Sequence, residues 1–244
     1  MKDKPRCVTG IERLDSELNG GVPVGNTILM CGGSGAGKTT ICMQFLFNGA
    51  KIGEKGVFFT SSTPVFKLKK HLKGFTFFDE KILKEGKISI IDIWNISDQL
   101  GLHPEKYSTE EANILFEVIR DITKEIGAKR LIIDSLTELC YRLQSRDMIR
   151  DFIFNLGSSL AIMKCTTFLT SEIPPKKYQY SQYGIEEFIS DGIIHMGNVE
   201  RKGDLIRTLQ IVKMRGTTHG RRRLMMDMSP KKGVELANML KADY

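Results

Sequence analysis

The eight residues Gly32-Gly33-Ser34-Gly35-Ala36-Gly37-Lys38-Thr39 fit the pattern G-x-x-x-x-G-K-[ST] and leave this chain few folds to choose from. The pattern carries meaning where a buried strand runs into it and a helix runs out of it. Both conditions are met: Thr27–Cys31 is a short apolar run and Thr40–Ala50 reads as a helix. Glycines let successive backbone N–H groups turn inward around phosphate oxygens, and a helix N-terminus adds partial positive charge. The candidate phosphate-binding set is therefore Gly33, Ser34, Gly35, Ala36 and Gly37, with Lys38, Thr39 and Thr40 opening the helix. Lys38 is expected to reach the β- and γ-phosphates of a nucleotide, and the Thr39 hydroxyl to ligate Mg²⁺.

Such a unit belongs in a mostly parallel sheet with helices on both faces, and the rest of the chain reads that way. Strands are expected at Thr27–Cys31, Val57–Thr60, Ile88–Ile93, Arg130–Asp134, Thr166–Thr170, Ile193–Gly197 and Arg207–Met214. Helices are expected at Lys38–Ala50, Val65–Lys73, Thr109–Ile126 and Asp147–Met163. After about residue 190 the alternation gives way to strands alone, which suggests antiparallel strands added at the C-terminal end. One α/β domain over residues 1–244 is the simplest organisation: a lead-in at 1–26, a core at 27–200, basic strands at 201–236 and a tail at 237–244. The strand Arg130–Asp134 ends in a carboxylate about 95 residues after the phosphate loop. An Asp so placed holds Mg²⁺ through water or the loop hydroxyl.

Composition excludes several classes. No apolar run approaches the roughly 18 residues needed to span a bilayer. The N-terminus lacks the apolar stretch of a signal peptide. Five widely spaced cysteines without a CxxC pair point to reduced thiols and a cytoplasmic location, not to disulfides or zinc. The net charge of +7 is unevenly placed: residues 201–232 hold ten Lys or Arg against two Asp, a local +8, so the remainder is −1. A patch of that kind implies an anionic partner, either nucleic acid or a neighbouring nucleotide's phosphates.

Further motifs carry a family resemblance. Thr9-Gly10-Ile11-Glu12-Arg13-Leu14-Asp15 and Gly20-Gly21-Val22-Pro23-Val24-Gly25 lead into the loop, and Gln44-Phe45-Leu46-Phe47-Asn48-Gly49 follows it. Tyr183-Gly184-Ile185-Glu186-Glu187-Phe188-Ile189-Ser190-Asp191 and Lys213-Met214-Arg215-Gly216-Thr217-Thr218-His219 come later. Together they resemble the KaiC-like branch of the RecA superfamily, in its single-domain form, from about residue 7 to residue 236. The resemblance implies a RecA-like core that binds ATP or ADP with Mg²⁺ and assembles as a homo-oligomeric ring, usually a hexamer, with ATP at subunit interfaces. It also implies that Lys213 and Arg215 reach the γ-phosphate bound by the next subunit, with His219 nearby. Adenine rather than guanine rests on this likeness alone. Residues two apart on a strand share a face, which lets both cations point the same way.

One departure bears on catalysis. Active members of that family carry glutamates just after the second strand, and one of them deprotonates the attacking water. Here Ser61 and Ser62 stand at those positions, ahead of Pro64. A serine hydroxyl is far too weak a base for that task, and losing a general base costs on the order of 10²–10⁴ in rate. Glu172, at a core strand tip, and Glu138, near Asp134, are the substitutes to weigh; Glu172 reads better as a sensor or structural residue. The clock-type phosphorylation pair is replaced by Glu187 and Phe188, neither of which accepts phosphate.

The leading expectation is an ATP-binding assembly switch with slow or absent hydrolysis and an unknown protein partner. The alternatives are a DNA-binding recombinase paralogue and an active ATPase. For the former, Lys176, Lys177, Tyr178, Tyr180 and Tyr183 could contact phosphates and stack bases, with Arg221-Arg222-Arg223 adding charge. Nucleic acid is not favoured, because no separate DNA-binding module is visible. Trp94 is expected to pack at the end of the Ile88–Ile93 strand, and Lys67–Lys73 to form a solvated amphipathic surface helix.

Overall fold

A computed structural model describes residues 5–174 and 179–239. The chain begins with β1 (Arg6–Cys7), α1 (Glu12–Glu17) and β2 (Val22–Pro23), the two strands forming a small separate ribbon. It continues through β3 (Thr27–Gly32), α2 (Lys38–Lys51), β4 (Gly56–Thr60), α3 (Val65–Leu72), α4 (Glu80–Lys84), β5 (Ile88–Asp92) and α5 (Ile93–Gln99). Next come α6 (Thr109–Ile126), β6 (Arg130–Asp134), α7 (Leu136–Tyr141), α8 (Arg146–Ile162), β7 (Thr166–Glu172) and α9 (Glu186–Ile189). Four strands close the described chain: β8 (Gly192–Arg201), β9 (Asp204–Met214), β10 (Leu224–Ser229) and β11 (Gly233–Asn238).

Nine strands form one sheet in the order β11-β10-β9-β8-β3-β7-β6-β4-β5. The pairs from β5 through to β8 are all parallel, and those from β8 to β11 are antiparallel. The expected antiparallel extension at the C-terminal end is thus present and starts with β9. β3, β4 and β6 are buried along their whole length because helices cover both faces. One apolar core lies between the sheet and α1–α4, the other between the sheet and α6–α8.

Local chemistry fixes the element ends. Ser108 and Glu111 make a reciprocal capping box at the start of α6, and Gly127 closes that helix in the left-handed region at φ +68°. The expected strand Ile88–Ile93 stops one residue short, because the Asp92 side chain accepts the N–H of Trp94 and starts α5 there. Trp94 accordingly sits in the first turn of α5, directly beyond the end of β5, and packs against the core there. α3 does bury only Leu68 and Leu72 and turns its lysines to solvent.

The most demanding packing lies under α2. Arg130, at the start of β6, is fully buried: its Nε donates to Glu54 at 2.6 Å and a terminal nitrogen donates to the Phe45 carbonyl at 2.7 Å. Its guanidinium carbon lies 4.4 Å from the centre of the Phe45 ring, whose other face stacks on Phe168. Gly49 makes this possible, since a Cβ there would come within 2.2 Å of the Arg130 Nε. Removing one partner of a buried ion pair costs about 3–5 kcal/mol, whereas replacing the charge with apolar bulk costs much less. E54A is therefore expected to lower the urea unfolding midpoint clearly more than R130M does; the reverse order would show that the pair does not hold α2 to β6.

Candidate functional site

The sheet gathers the site at the C-terminal edge of its parallel strands. In register, Gly32 of β3 stands beside Glu172 of β7 and Met196 of β8, and Thr60 of β4 stands beside Asp134 of β6. The phosphate loop leaves this edge and turns into α2 through Gly37, whose φ of +94° suits glycine. A side chain there would also strike Met228 of β10 at 2.9 Å, so the β10–β11 hairpin leans on the start of α2.

Lys38 is buried beneath the loop and donates to the carbonyls of Gly32, at 2.7 Å, and Gly33, at 3.0 Å. Burial pulls its pKa below the usual lysine value, opposed by the charges of Glu172 and then Asp134. Thr39 Oγ1 donates to one oxygen of Asp134 at 2.6 Å, and the buried Thr170 hydroxyl donates to the other at 2.6 Å. The expected partnership of Thr39 and Asp134 is thus made directly. Thr170, on β7, is a third member that no motif signals. Among the described residues no group of three or more His, Cys, Asp or Glu could hold a metal ion. A cation here would share the hydroxyl and carboxylate oxygens of Thr39 and Asp134 with phosphate oxygens and water, a hard donor set that fits Mg²⁺.

The two serines take different places. Ser61 is buried; its hydroxyl donates to the Ser135 carbonyl at 3.0 Å and accepts the Ser135 N–H at 2.9 Å. Its own N–H donates to the Asp134 carbonyl at 2.9 Å, and the Trp94 indole N–H donates to its carbonyl. The Arg142 guanidinium stacks 3.5 Å above the Trp94 ring. Ser61 is thus a clip between the ends of β4 and β6, and neither bond leaves it a base. Ser62 is exposed. Glu172 is exposed on the rung beside Gly32, with its backbone N–H on the Thr137 hydroxyl at 2.9 Å. Glu138 is exposed on the first turn of α7.

Lys213 and Arg215 lie far from their own phosphate loop. Met214 pairs with Gly192, which pairs with Ile28, whereas the loop leaves four residues later at Gly32. Four residues of strand span about 13 Å, so these cations stand at the opposite end of β3. Lys213 Nζ donates to the carbonyls of Ser190, at 2.6 Å, and Glu187, at 3.0 Å, and burial lowers its pKa. Arg215 lies 3.7 Å from the Asp191 carboxylate and 3.4 Å from the Phe188 carbonyl. Both cations therefore meet the end of α9 and the two residues after it, although Arg215 lies just past the end of β9 and the pair does not alternate on one strand. Asp191 also accepts the Thr27 N–H at 3.0 Å, which ties the segment Tyr183–Asp191 to the start of β3. His219 follows on a loop pinned to α1 by Gly220 N–H on the Glu17 carbonyl at 2.9 Å. Of the loop after β7, Lys176, Lys177 and Tyr178 lie outside the described residues.

A family profile described as "ATPase: KaiC" matches residues 7–241. The chain belongs to the KaiC ATPase family. Family membership makes it an ATP-binding, RecA-like phosphate-loop protein. A UPF0273 protein of Thermotoga maritima is 34% identical over 229 residues, covering 93% of each chain. The circadian clock protein KaiC3 of Synechocystis is 32% identical over 226 residues; the match takes in 93% of this chain but 44% of that one. The crystal structure of a KaiC-like protein from Pyrococcus horikoshii superposes with a TM-score of 0.82 at 35% identity, covering 96% of this chain and 99% of that chain. No helix among the described residues is long and apolar enough to cross a membrane.

Removing the Ser61 hydroxyl leaves the buried Ser135 N–H without its partner and the Ser135 carbonyl with only the Leu139 N–H at 3.4 Å, which costs about 1–3 kcal/mol. S61A is thus expected to lower the thermal midpoint, and S62A to change stability by about 0.5 kcal/mol or less. Equal midpoints for the two variants would remove the clip.

Proposed function

We propose that this chain is a nucleotide-gated assembly switch that holds MgATP and hydrolyses it slowly. The observation that carries the reading is the contrast within the site. Everything needed to grip phosphate is in place, from the loop and Lys38 to the Thr39–Asp134–Thr170 group, while the residue at the expected base position is committed to the Ser135 backbone. A Mg²⁺ ion on Thr39 and Asp134 would neutralise charge on the β- and γ-phosphates.

The placement of Lys213 and Arg215 supports a ring of copies, as a hexamer in our reading. Too far from their own loop, these cations are of use to a nucleotide held by the next copy, where they would stabilise charge on its γ-phosphate. Binding ATP would then join copies, and a protein partner would read the assembled state. His219, on the following loop, would border the same junction.

A second reading has one observation in its favour. Gln179, Tyr180, His195, Asn198, Gln210 and Arg223 line a single cavity of about 180 Å³ on β8 and β9, with Tyr180 edge-on to His195. The loop tyrosine and the basic turn thus meet, as single-stranded nucleic acid binding would need. Retention on DNA that falls steeply with salt would support it, and no retention on single- or double-stranded DNA would sink it.

The switch is tested by light scattering with no nucleotide, with ADP and with ATP, beside a turnover assay on the same sample. A median enzyme rate of about 10 per second, less the loss of a general base, leaves about 0.1 to 0.001 per second. Assembly with ATP at a rate in or below that range is expected, with R215A abolishing assembly but not ATP binding. Faster turnover that disappears in K38A would refute the switch in favour of an active ATPase.

A further inference from the structure

A cavity of about 470 Å³ lies away from the phosphate loop, where α1, α2 and β11 come together. None of residues 32–40 lines it. One wall is α1 with the two residues before it, the other is β11, and Gln44 of α2 stands between them. Sites for small molecules commonly enclose about 300 to 1,000 Å³, so this one has the size to hold a ligand.

Two donors at the cavity have no acceptor among the described residues. Gln44 is only 5% exposed, and its Oε1 accepts the Val234 N–H at 2.7 Å. With its oxygen turned to β11, the amide keeps two unpaired N–H groups for the cavity that it lines. The second donor is Arg13 Nε, which is buried and unpaired. It cannot turn elsewhere, because a terminal nitrogen of the same guanidinium is held by Glu17 at 2.7 Å and by Asn238 at 2.9 Å. Buried donors without acceptors are unfavourable, and folded proteins keep few of them. Two at one cavity call for an acceptor that the cavity can receive.

Charge narrows what can bring that acceptor. In the lining, Arg13 and Lys232 are balanced by Glu12 and Glu235, and Glu17 adds one more carboxylate on Arg13. A sulfate, phosphate or nucleotide would bring about two or more negative charges into surroundings that already sum to −1. A single carboxylate fits if positive charge comes with it. Glu12 offers that charge a place: it is exposed and has no ion pair among the described residues. Ser16, four residues on, shares its face of α1. Ile11, Val234 and Leu236 supply apolar surface in the same lining.

We propose that this cavity binds a small zwitterion, a free amino acid or a short peptide. Its carboxylate would accept from Gln44 Nε2 and Arg13 Nε, and its ammonium would pair with Glu12. Such a ligand joins α1, α2 and β11 on the flank of α2, about 7.5 Å along that helix from Thr39. It is a second site, separate in place and in charge from the phosphate-binding loop.

The test begins with thermal-shift titrations of the full chain with each standard amino acid and with alanyl-alanine. A ligand that binds the folded chain raises its midpoint. The best of these is then titrated by calorimetry beside its N-acetyl form, which lacks the ammonium, and its amide, which lacks the carboxylate. Both blocked forms are expected to bind at least about tenfold more weakly. Preference for a free amino acid or for the dipeptide assigns the source, and either supports the site. Q44E keeps the acceptor for Val234 but sets a negative charge against the ligand's carboxylate, so it should abolish binding. E12Q, at an exposed position that leaves the fold intact, should weaken binding about tenfold, and R13K, which keeps the charge but loses the Nε–H, should do the same. No shift with any probe, blocked forms that bind as well as the free one, or unchanged affinity in both E12Q and R13K would each overturn the inference. So would inorganic phosphate binding at this cavity more tightly than any zwitterion.

Discussion

Asp134 is held at both ends of its carboxylate. One oxygen accepts Thr39, on the first turn of α2, and the other accepts Thr170, on β7. Three separate stretches of chain are thereby fixed against one another at the sheet edge. The bonds are charge-assisted and short, the strong kind. The phosphate loop can keep a cradle shape because the strand beneath it, β3, is paired on both sides, and because its exit into α2 is tied to β6 through this carboxylate.

Ser61 extends the same logic one strand further. It fastens the end of β4 to the residue after Asp134, and Trp94 and Arg142 cover the joint from outside. Where a long carboxylate side chain would project toward a nucleotide, a short hydroxyl turns back into the backbone. The Ser61 side chain is consumed by structure, and in the function proposed above the same commitment would leave this edge without a base. The antiparallel extension behaves differently, since most of its charges are exposed along β9 and the turn after it, with Lys213 half-buried against the end of α9.

Much of this was legible in the sequence, and the reason is locality. The phosphate loop, Asp134 at a strand tip, and the pair Lys213 and Arg215 are each defined by neighbours in the chain. Long helices such as Thr109–Ile126 announce themselves by period and caps, and that one matches its expected bounds. α1, α4, α5, α7 and α9 have four to seven residues, too few to show a period, so none was foreseen. The apolar run at Ile88–Ile93 hid the cap at Asp92 for the same reason. What stayed illegible were contacts made only by tertiary packing between distant segments: Thr170 on Asp134, Arg207 on Gly35, and Trp94 on Ser61. The motif Tyr183–Asp191 was visible as a resemblance, but its purpose, fixing β3 and receiving Lys213, is a tertiary fact.

The chain has one tryptophan, and its indole is hydrogen-bonded to the strand end that borders Asp134. With a guanidinium against its ring and most of its surface covered, Trp94 sits in a polar, partly shielded setting. Any shift of the β4 and β6 tips would alter both the hydrogen bond and the cation over the ring, and with them the colour and yield of its emission. The protein thus carries an intrinsic optical probe at the rim of its nucleotide site, with no second indole to blur the signal.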